Sequence, residues 1–177
     1  MYQQKSILMD AAAMDRTLMR ISHEIIERCE GECVMLGIKS RGLPLAAQLS
    51  ANIERVSGKA IPVAALDIRA FRDDRPDRNI PDSIPLDVDV TGKTVILVDD
   101  VLYTGRTIRA AMDAVIAAGR PNAIRLAVLI DRGHRELPIR PDFVGKNIPT
   151  SHRELIVVNI PPVDDSMDTC LYGLEQK

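Results

Sequence analysis

The sequence predicts an α/β fold in which a mostly parallel central sheet is flanked by helices. Short apolar runs alternate along the chain with segments that carry apolar residues at helical spacing. The runs 33–38, 95–98 and 124–131 show no polar alternation, which is typical of strands buried on both faces of a parallel sheet. With 177 residues, of which 46% are hydrophobic, the chain suits a single domain over residues 1–177.

The first half of the chain contains three regular elements after an initial amphipathic helix. That helix is predicted over residues 12–30, where apolar residues recur at helical spacing, namely Met14, Leu18, Ile21 and Ile25. A strand over 33–38, a helix over 43–55 and a strand over 61–68 follow it. Residues 69–92 then combine alternating charges with several prolines, and we predict a long polar connection there.

The second half continues the alternation. In order, we predict a strand over 95–98, an Ala-rich helix over 108–118, a strand over 124–131, an irregular segment over 131–154 and a final strand over 155–159. The alternation of strands and helices is what makes the predicted sheet parallel, because each crossover returns the chain to the same edge.

The composition narrows the functional classes. The net charge of -2 gives no overall basic character, so nucleic-acid binding would need a local patch. Cys29, Cys33 and Cys170 lack the spacing of zinc ligands, which favours reduced thiols in a cytoplasmic protein. The chain has no run of 18 apolar residues and no signal-peptide pattern, so we expect a cytoplasmic location and no membrane partner.

Residues 95–107 join a strand, two carboxylates and a polar loop that precedes a helix. The backbone N–H groups at that helix start favour a phosphate, and the hydroxyls of Thr104 and Thr107 add donors. Asp99 and Asp100, where the predicted strand ends, would repel a phosphate, so neutral hydroxyls or a hydrated cation suit them better. A sugar phosphate with a vicinal diol would suit both the polar loop, through its phosphate, and the two acids, through its hydroxyls. The alternative is a threonine cap beside two solvated acids.

A second polar loop follows the predicted strand over 33–38. Lys39, Ser40 and Arg41 place two cations and a hydroxyl between glycines, a composition that suits an anionic group. Taken alone, this loop also fits an ordinary basic turn. Together with residues 95–107, it favours a ligand site at the carboxyl edge of an open α/β sheet.

The order of apolar residues, acidic pair and Thr-Gly-x-Thr loop in residues 95–107 resembles the phosphoribosyl pyrophosphate (PRPP) signature of the type I phosphoribosyltransferases. The resemblance implies the fold of that family, with a small hood over the base site. It also implies that Asp99 and Asp100 hold the ribose 2- and 3-hydroxyls. Residues 102–107 would surround the 5-phosphate, and the implied contacts to PRPP or UMP in this stretch are Val101, Leu102, Tyr103, Thr104, Gly105, Arg106 and Thr107.

The same resemblance gives roles to three other parts of the chain. Lys39, Ser40 and Arg41 would bind the pyrophosphate leaving group, and the implied catalytic set is Lys39, Arg41, Asp99 and Asp100. Residues 69–92 would form a mobile lid, with Arg72 as a candidate phosphate contact. Residues 131–154 would form the hood, with Asp131 and Arg132 near the nucleobase. Mg²⁺ would bind through substrate oxygens, with Asp99 and Asp100 as candidate protein ligands.

Residues 20–24, 37–42 and 131–150 extend the resemblance to one bacterial branch of the family, whose members are both uracil phosphoribosyltransferases and regulators of the pyrimidine operon. It implies that uracil and PRPP give UMP and pyrophosphate, and that the UMP-loaded protein binds the operon leader mRNA and promotes transcription attenuation. It also implies a homodimer or a larger assembly. The candidate RNA-binding residues are Arg20, His23, Ser40, His134, Arg135, Arg140 and Lys146. The sequence departs from that branch in a short 69–92 segment, at the C-terminus, and at Met19 and Ser40.

Other interpretations remain open at this point. The protein could be a salvage phosphoribosyltransferase without an RNA-binding role, acting on another base such as a purine. It could also be a regulator that binds PRPP or nucleotides without turnover. The cations of the first helix fit a solvated face of mixed charge, because Glu24, Glu27 and Glu30 flank them, and His134 and Arg135 could serve the hood alone.

Overall fold

The computed structural model describes residues 2–74 and 84–174. The regular elements in these residues are, in chain order, β1 (Tyr2–Met9), α1 (Ala11–Arg28), β2 (Cys33–Ile38), α2 (Gly42–Ser57), β3 (Val63–Leu66), a 3₁₀ turn (Arg69–Phe71), β4 (Thr94–Leu102), α3 (Arg106–Ala118), β5 (Ala123–Asp131), β6 (Phe143–Asn147), β7 (Glu154–Asn159) and β8 (Asp168–Leu174). Every strand and helix predicted from the sequence is therefore present, with ends that differ by a few residues except for β4.

The central sheet has five parallel strands in the order β3-β2-β4-β5-β6. Its strands are apolar on both faces because both faces are covered. Ile96 and Val98 of β4 belong to a core shared with α1 and α2, whereas Val95 and Leu97 belong to a core shared with α3. The predicted α/β class with a mostly parallel sheet flanked by helices is confirmed.

The N-terminal helix α1 shows how local sequence directs this packing. Asp10 caps it by accepting a hydrogen bond from the backbone N–H of Ala13 at 2.8 Å. Its apolar stripe is buried in the first core, including Met14, Ile21 and Ile25. The opposite face, which carries the charged residues, is exposed, so the helix is held by its apolar stripe.

A second, three-stranded antiparallel sheet was not predicted. Its order is β1-β8-β7, so it joins the two ends of the chain. Ile156 and Val158 of β7 connect it to the first core. The prediction that β7 is the final strand was wrong, because β8 follows it. The expectation of no regular element within residues 131–154 was also wrong, because β6 lies there and pairs with β5.

The predicted lid over residues 69–92 lies only partly within the described residues, since 75–83 fall outside them. Its described beginning is the 3₁₀ turn, which contacts α3. Arg109 of α3 donates a hydrogen bond to the carbonyl oxygen of Phe71 at 3.0 Å, and Arg106 pairs with Asp73 at 2.9 Å. The start of this segment is thus attached to the helix that follows the acidic pair.

None of the helices in residues 2–74 and 84–174 is long and apolar enough to cross a membrane.

Candidate active site

The two polar loops singled out in the sequence meet at the carboxyl edge of the central sheet. They do so because β2 and β4 are neighbours and parallel, with Gly37 opposite Val98. Between the loops lies a cleft of about 680 Å³. Its lining consists of Ile38, Lys39, Ser40, Arg41, Asp67, Ile68, Arg69, Arg72, Asp99, Asp100, Val101 and Thr107. The structure therefore brings the cationic loop and the acidic pair into one cavity.

The acidic pair does not follow β4, as predicted, but lies within it. β4 continues to Leu102 because its other neighbour, β5, keeps pairing with it beyond Val98. β2 pairs with β4 only as far as Gly37, and the chain then turns away into the cationic loop. At Asp99 and Asp100, β4 is therefore paired with β5 on one side and not with β2 on the other, which leaves room for a ligand beside the two acids.

The two acids have different environments. Asp99 is 8% exposed, and burial raises the pKa of its carboxyl well above the usual range, with the neighbouring Asp100 charge as a second cause. One of its oxygens accepts a hydrogen bond from the backbone N–H of Asp100 at 2.9 Å. Asp100 is only half-buried, and its side chain accepts from the N–H of Val101 at 2.8 Å. Asp100 is therefore the more accessible carboxylate of the pair.

The cationic loop lies against β4 because Gly42 permits a close approach. A Cβ at Gly42 would collide with the carbonyl oxygen of Val98. Lys39 and Ser40, which are exposed and joined by a cis peptide bond, line the cleft directly. Arg41 also lines it, but its guanidinium binds the carboxylate of Asp164, with both N–O distances at 2.9 Å. This pairing lowers the pKa of Asp164.

The loop after the acidic pair forms the start of α3. Gly105 is the N-terminal cap with φ of 93°, a conformation that favours glycine, and α3 begins at Arg106, two residues before the predicted start. Thr107 reaches the cleft, whereas Leu102 is fully buried in the core. The carbonyl oxygen of Thr104 accepts hydrogen bonds from two N–H groups of residues 136–137, which support the loop from outside.

The Arg106 side chain leaves the cleft. Its guanidinium pairs with Asp73 at 2.9 Å and with Glu136 at 2.6 Å. Arg106 thereby connects the start of the predicted lid to the segment before β6, and its backbone N–H donates to the hydroxyl of Thr104 at 3.3 Å. The phosphate contact that the resemblance implies for Arg106 stays a prediction.

Sequence reasoning missed three residues of the cleft. Asp67, Ile68 and Arg69 follow β3, the neighbour of β2, and Arg69 pairs with Asp67 at 2.6 Å. They were assigned partly to the strand and partly to the lid, so their position at the sheet edge was not considered. The available signal was the rule that parallel strands present their carboxyl ends at one edge. Arg72 lines the cleft too, paired with Asp74 at 2.7 Å.

Asp131 and Arg132 lie outside this cleft and make internal contacts. Arg132 is 5% exposed, and its guanidinium donates to the side chain of Thr150 and to the carbonyl oxygens of Ser151 and Glu154. It also lies 4.1 Å from the centre of the Tyr103 ring. Asp131 pairs with Arg135 at 2.6 Å. These contacts hold the segment over 131–154 in place.

The candidate RNA-binding residues fall into three groups. Arg20, Arg140 and Lys146 lie around β6, the edge strand of the central sheet, because Arg20 donates to the carbonyl oxygens of Val144 and Gly145. His23 is exposed on α1, the helix that also carries Arg20.

The other two groups are separate. Ser40 lines the cleft. His134 contacts His152 with ring centres 4.1 Å apart and ring planes tilted by 53°. The guanidinium of Arg135 donates to the carbonyl oxygens of Tyr103 and Ile139 and to the carboxylate of Asp131. Arg135 is therefore a supporting residue of its own segment.

No group of three or more His, Cys, Asp or Glu side chains in residues 2–74 and 84–174 is arranged to hold a metal ion. The cleft offers Asp100 as an accessible carboxylate, beside the buried Asp99. These groups fit a divalent cation that takes most of its oxygens from a bound phosphate substrate, in the way Mg²⁺ is usually held.

Comparison with known proteins agrees with this geometry. The phosphoribosyl transferase domain family matches residues 4–162. A protein of Thermoanaerobacter sp. (strain X514) named Bifunctional protein PyrR is 55% identical over 165 residues, which is 90% of this chain and 93% of that protein. A protein of the same name from Bacillus subtilis (strain 168) is 48% identical over 179 residues, covering 97% and 99% of the two chains.

The solved structures give the same fold. A hypoxanthine-guanine phosphoribosyltransferase from Bacillus anthracis superposes with a TM-score of 0.73, covering 98% of this chain and 100% of that one. At 18% sequence identity this likeness concerns the fold alone.

Proposed function

The chain belongs to the phosphoribosyltransferase family and, within it, to the bifunctional PyrR proteins, and from this premise we propose that it has two activities. The first is the synthesis of UMP and pyrophosphate from uracil and PRPP. The second is UMP-dependent binding to the leader mRNA of the pyrimidine operon, which attenuates its transcription.

The observation that carries the enzymatic proposal is the meeting of opposite charges in one cleft. Lys39 and Arg41 line one wall, and Asp99 and Asp100 line the other. PRPP has a matching division, with a pyrophosphate on C1 and two hydroxyls on the neighbouring carbons. We assign the pyrophosphate to the cationic wall and the hydroxyls to the acidic wall, with the 5-phosphate at the start of α3.

The reaction needs charge stabilisation more than a nucleophilic side chain. Uracil N1 attacks C1 of the ribose as pyrophosphate departs, so positive charge develops on the ribose and negative charge on the leaving group. Asp100 holds the ribose hydroxyls and its carboxylate lies beside the developing positive charge, while Lys39 binds the departing pyrophosphate. Arg41 acts together with Asp164, which keeps the guanidinium in a defined orientation at the cleft.

Mg²⁺ is the cofactor that we propose. Bound to pyrophosphate and ribose oxygens, it would offset negative charge on the leaving group. Asp100 is the carboxylate available to contact it or its water shell, and Asp99 supports Asp100 through the backbone hydrogen bond described above. Titration of activity with Mg²⁺ at fixed PRPP tests this assignment: activity that persists in excess chelator would overturn it.

A base-substrate screen tests the reaction. Purified protein with PRPP and Mg²⁺ should convert uracil to UMP, with one pyrophosphate released for each UMP formed. Hypoxanthine, guanine and adenine serve as competing bases, and turnover of a purine in place of uracil would support the salvage alternative. A protein that binds PRPP but releases no pyrophosphate with any base would be a regulator without turnover.

The RNA-binding proposal is supported by the surface around β6. Arg140 and Lys146 are exposed, and neither makes an ion pair within residues 2–74 and 84–174. The acids nearest to Arg140 in sequence are already paired, because Asp142 pairs with Arg125 and Glu136 pairs with Arg106. The overall charge of the protein is slightly negative, but this surface presents cations to a phosphate backbone.

Filter binding with the leader hairpin tests the regulatory proposal. We expect tighter binding when UMP is present, and a steep loss of affinity with added salt. A hairpin with a scrambled loop is the matched control. Equal affinity for both hairpins, or no effect of UMP, would leave only the enzymatic activity.

Three further properties belong to the same proposal. We expect a homodimer or larger assembly, which sedimentation at several protein concentrations measures directly. We expect the residues over 69–92 to act as a lid and those over 131–154 to contribute to a hood. A protein that regulates a leader transcript acts where that transcript is made, so we place it in the cytoplasm.

A further inference from the structure

A second cavity lies at the opposite edge of the central sheet from the candidate active site. It has a volume of about 360 Å³ and is bordered by the end of α1, the start of β2 and the segment after α2. Cys29 and Cys33 both line it. Because β2 runs from Cys33 towards Lys39, the two sites are separated by the length of that strand, which is about 20 Å for six residues.

The two cysteines are held close to one another. Cys29 is the C-terminal cap of α1, and its N–H binds the carbonyl oxygen of Ile25 at 2.9 Å. Gly31, with φ of 80°, reverses the chain, and Cys33 begins β2 opposite Thr94. Both side chains line the same cavity, and the Cys33 thiol donates to the carbonyl oxygen of Gly31, in the turn between them, at 3.9 Å. Both ends of this five-residue turn are thus anchored in packed elements.

We propose that Cys29 and Cys33 form a dithiol site that reacts with small anionic disulfides of the glutathione type and closes to an intramolecular disulfide. Lys59 lines the same cavity and would attract a carboxylate of such a reagent, whereas Lys93, also in the lining, pairs with Glu32 at 4.0 Å. Both thiols are partly exposed, whereas Cys170, the third cysteine, is 4% exposed. The reaction is therefore specific to the pair.

The reaction is an exchange in two steps. The Cys33 thiolate attacks one sulfur of the small disulfide, forms a mixed disulfide and expels one thiolate, which takes up a proton. The Cys29 thiolate then attacks the Cys33 sulfur and expels the second thiolate, which also takes up a proton. The protein loses two hydrogens and two electrons, and the reagent becomes two thiols.

The surroundings of the thiols set this order. Burial raises the pKa of Cys29 to about 11, with Cys33 and Asp142 adding to the rise and Arg125 opposing it. The pKa of Cys33 is also raised by burial, but Cys29 and Lys59 counteract the rise. Because the charge of Lys59 favours the thiolate of Cys33, we take Cys33 as the thiol that attacks first.

Mass spectrometry of the full-length protein after equilibration with reduced and oxidised glutathione tests the proposal. Trypsin cleaves after Arg28 and Lys39, so one peptide contains both cysteines. We expect this peptide to lose two hydrogens and to carry no glutathione, and a reductant to restore it. Cys170→Ser should behave identically, whereas Cys29→Ser and Cys33→Ser should retain one glutathione on this peptide.

A short peptide with two cysteines can form a disulfide even when it is unfolded. The proposal therefore requires that the native fold favour the Cys29–Cys33 disulfide over the dithiol. We therefore expect the equilibrium ratio of disulfide to dithiol, at one glutathione ratio, to be at least about tenfold higher in the native protein than in concentrated urea. An equal or lower native ratio would overturn the proposal. So would a native peptide that carries only glutathione adducts.

Discussion

Two regions of the molecule contain the same kinds of charged residue but use them in opposite ways. One is the cleft formed by the loop after β2 and the end of β4, and the other is the segment over 131–154. Lys39 and Asp100 face an open cleft. Arg132 and Arg135 point inward, and their guanidinium groups donate mainly to backbone carbonyl oxygens. The difference teaches that a charged side chain in a motif indicates a ligand only when the fold leaves its hydrogen-bonding groups available.

The largest effect that we expect comes from removing a charge that is used internally. Arg132→Met keeps much of the side-chain volume but removes the guanidinium that donates to the carbonyl oxygen of Glu154, to that of Ser151 and to the hydroxyl of Thr150. The free energy of unfolding should fall by about 3 kcal/mol, measured by urea denaturation. Arg140→Met, in the same segment but exposed, is the control and should change it by less than about 0.5 kcal/mol. Equal losses of unfolding free energy in the two variants would show that the internal contacts of Arg132 do not stabilise the protein.

A smaller effect, confined to catalysis, is expected in the cleft. Asp100→Asn should reduce UMP formation at least tenfold, which is about 1.4 kcal/mol on the barrier, because the ribose hydroxyls lose a charged acceptor. The free energy of unfolding should change little, since the side chain is half-buried and asparagine keeps an oxygen that can accept from the N–H of Val101. Asp113→Asn, which removes a half-buried ion pair with Arg109 on α3, is the matched control. Unchanged turnover of Asp100→Asn would contradict the proposed role.

The third prediction concerns the exposed cations around β6, which we propose contact RNA. Arg140→Ala and Lys146→Ala should each weaken binding of the UMP-loaded protein to the leader hairpin about fivefold, near 1 kcal/mol. Each should also reduce the dependence of affinity on salt, because one phosphate contact is lost. Lys59→Ala, which removes the same charge beside the cysteine cavity, should leave the affinity unchanged. If all three variants bind alike, the contact surface lies elsewhere.

Arg135 was assigned to the same RNA-binding set but behaves differently in the structure. Arg135→Ala should lower the free energy of unfolding by about 2 kcal/mol, because Asp131 loses its ion-pair partner and the carbonyl oxygens of Tyr103 and Ile139 lose a donor. Any loss of RNA affinity in this variant should follow the loss of folded protein, which urea denaturation and RNA titration together would separate. A weakened affinity with full stability would place Arg135 in the RNA contact.

The smallest effect concerns how the second sheet responds to acid. Lys5 of β1 pairs with Glu154 of β7 at 2.8 Å, and this pairing, together with the N–H of Ser151, lowers the pKa of Glu154 from 4.5 to about 2. A carboxyl with a lowered pKa contributes stability that is complete above pH 4.5 and is lost as the pH falls towards 2. Glu154→Gln should therefore flatten the stability curve in this range. An unchanged slope would show that Lys5 and Glu154 do not interact in solution.

Much of the central sheet and its ligand edge could be predicted because their signals are local. The run before Asp99 is apolar at every position, and such a run has few alternatives to a strand buried on both faces. The position of the acids inside β4 could not be predicted in the same way. It depends on β5 pairing further along β4 than β2 does, which is a property of three strands together.

The second sheet was even less predictable from local sequence. β1 is exposed over most of its length and carries no pattern that distinguishes it from a polar terminus. It becomes a strand because β8, from the other end of the chain, supplies hydrogen-bond partners from Tyr2 to Met9. Pairing of this kind is decided by the folded core on which the sheet rests.

The sequence by itself determined the α/β class, the family signature and the two loops that meet in the cleft, because apolar periodicity and loop composition act over a few residues. Only the tertiary structure decided which charges remain available: Asp100 and Lys39 face the cleft, Arg41 is shared with Asp164, and Arg132 is used on backbone carbonyl groups. The physical reason is that a charged group is satisfied by whichever partners the fold brings within about 3 Å, and those partners are distant in sequence.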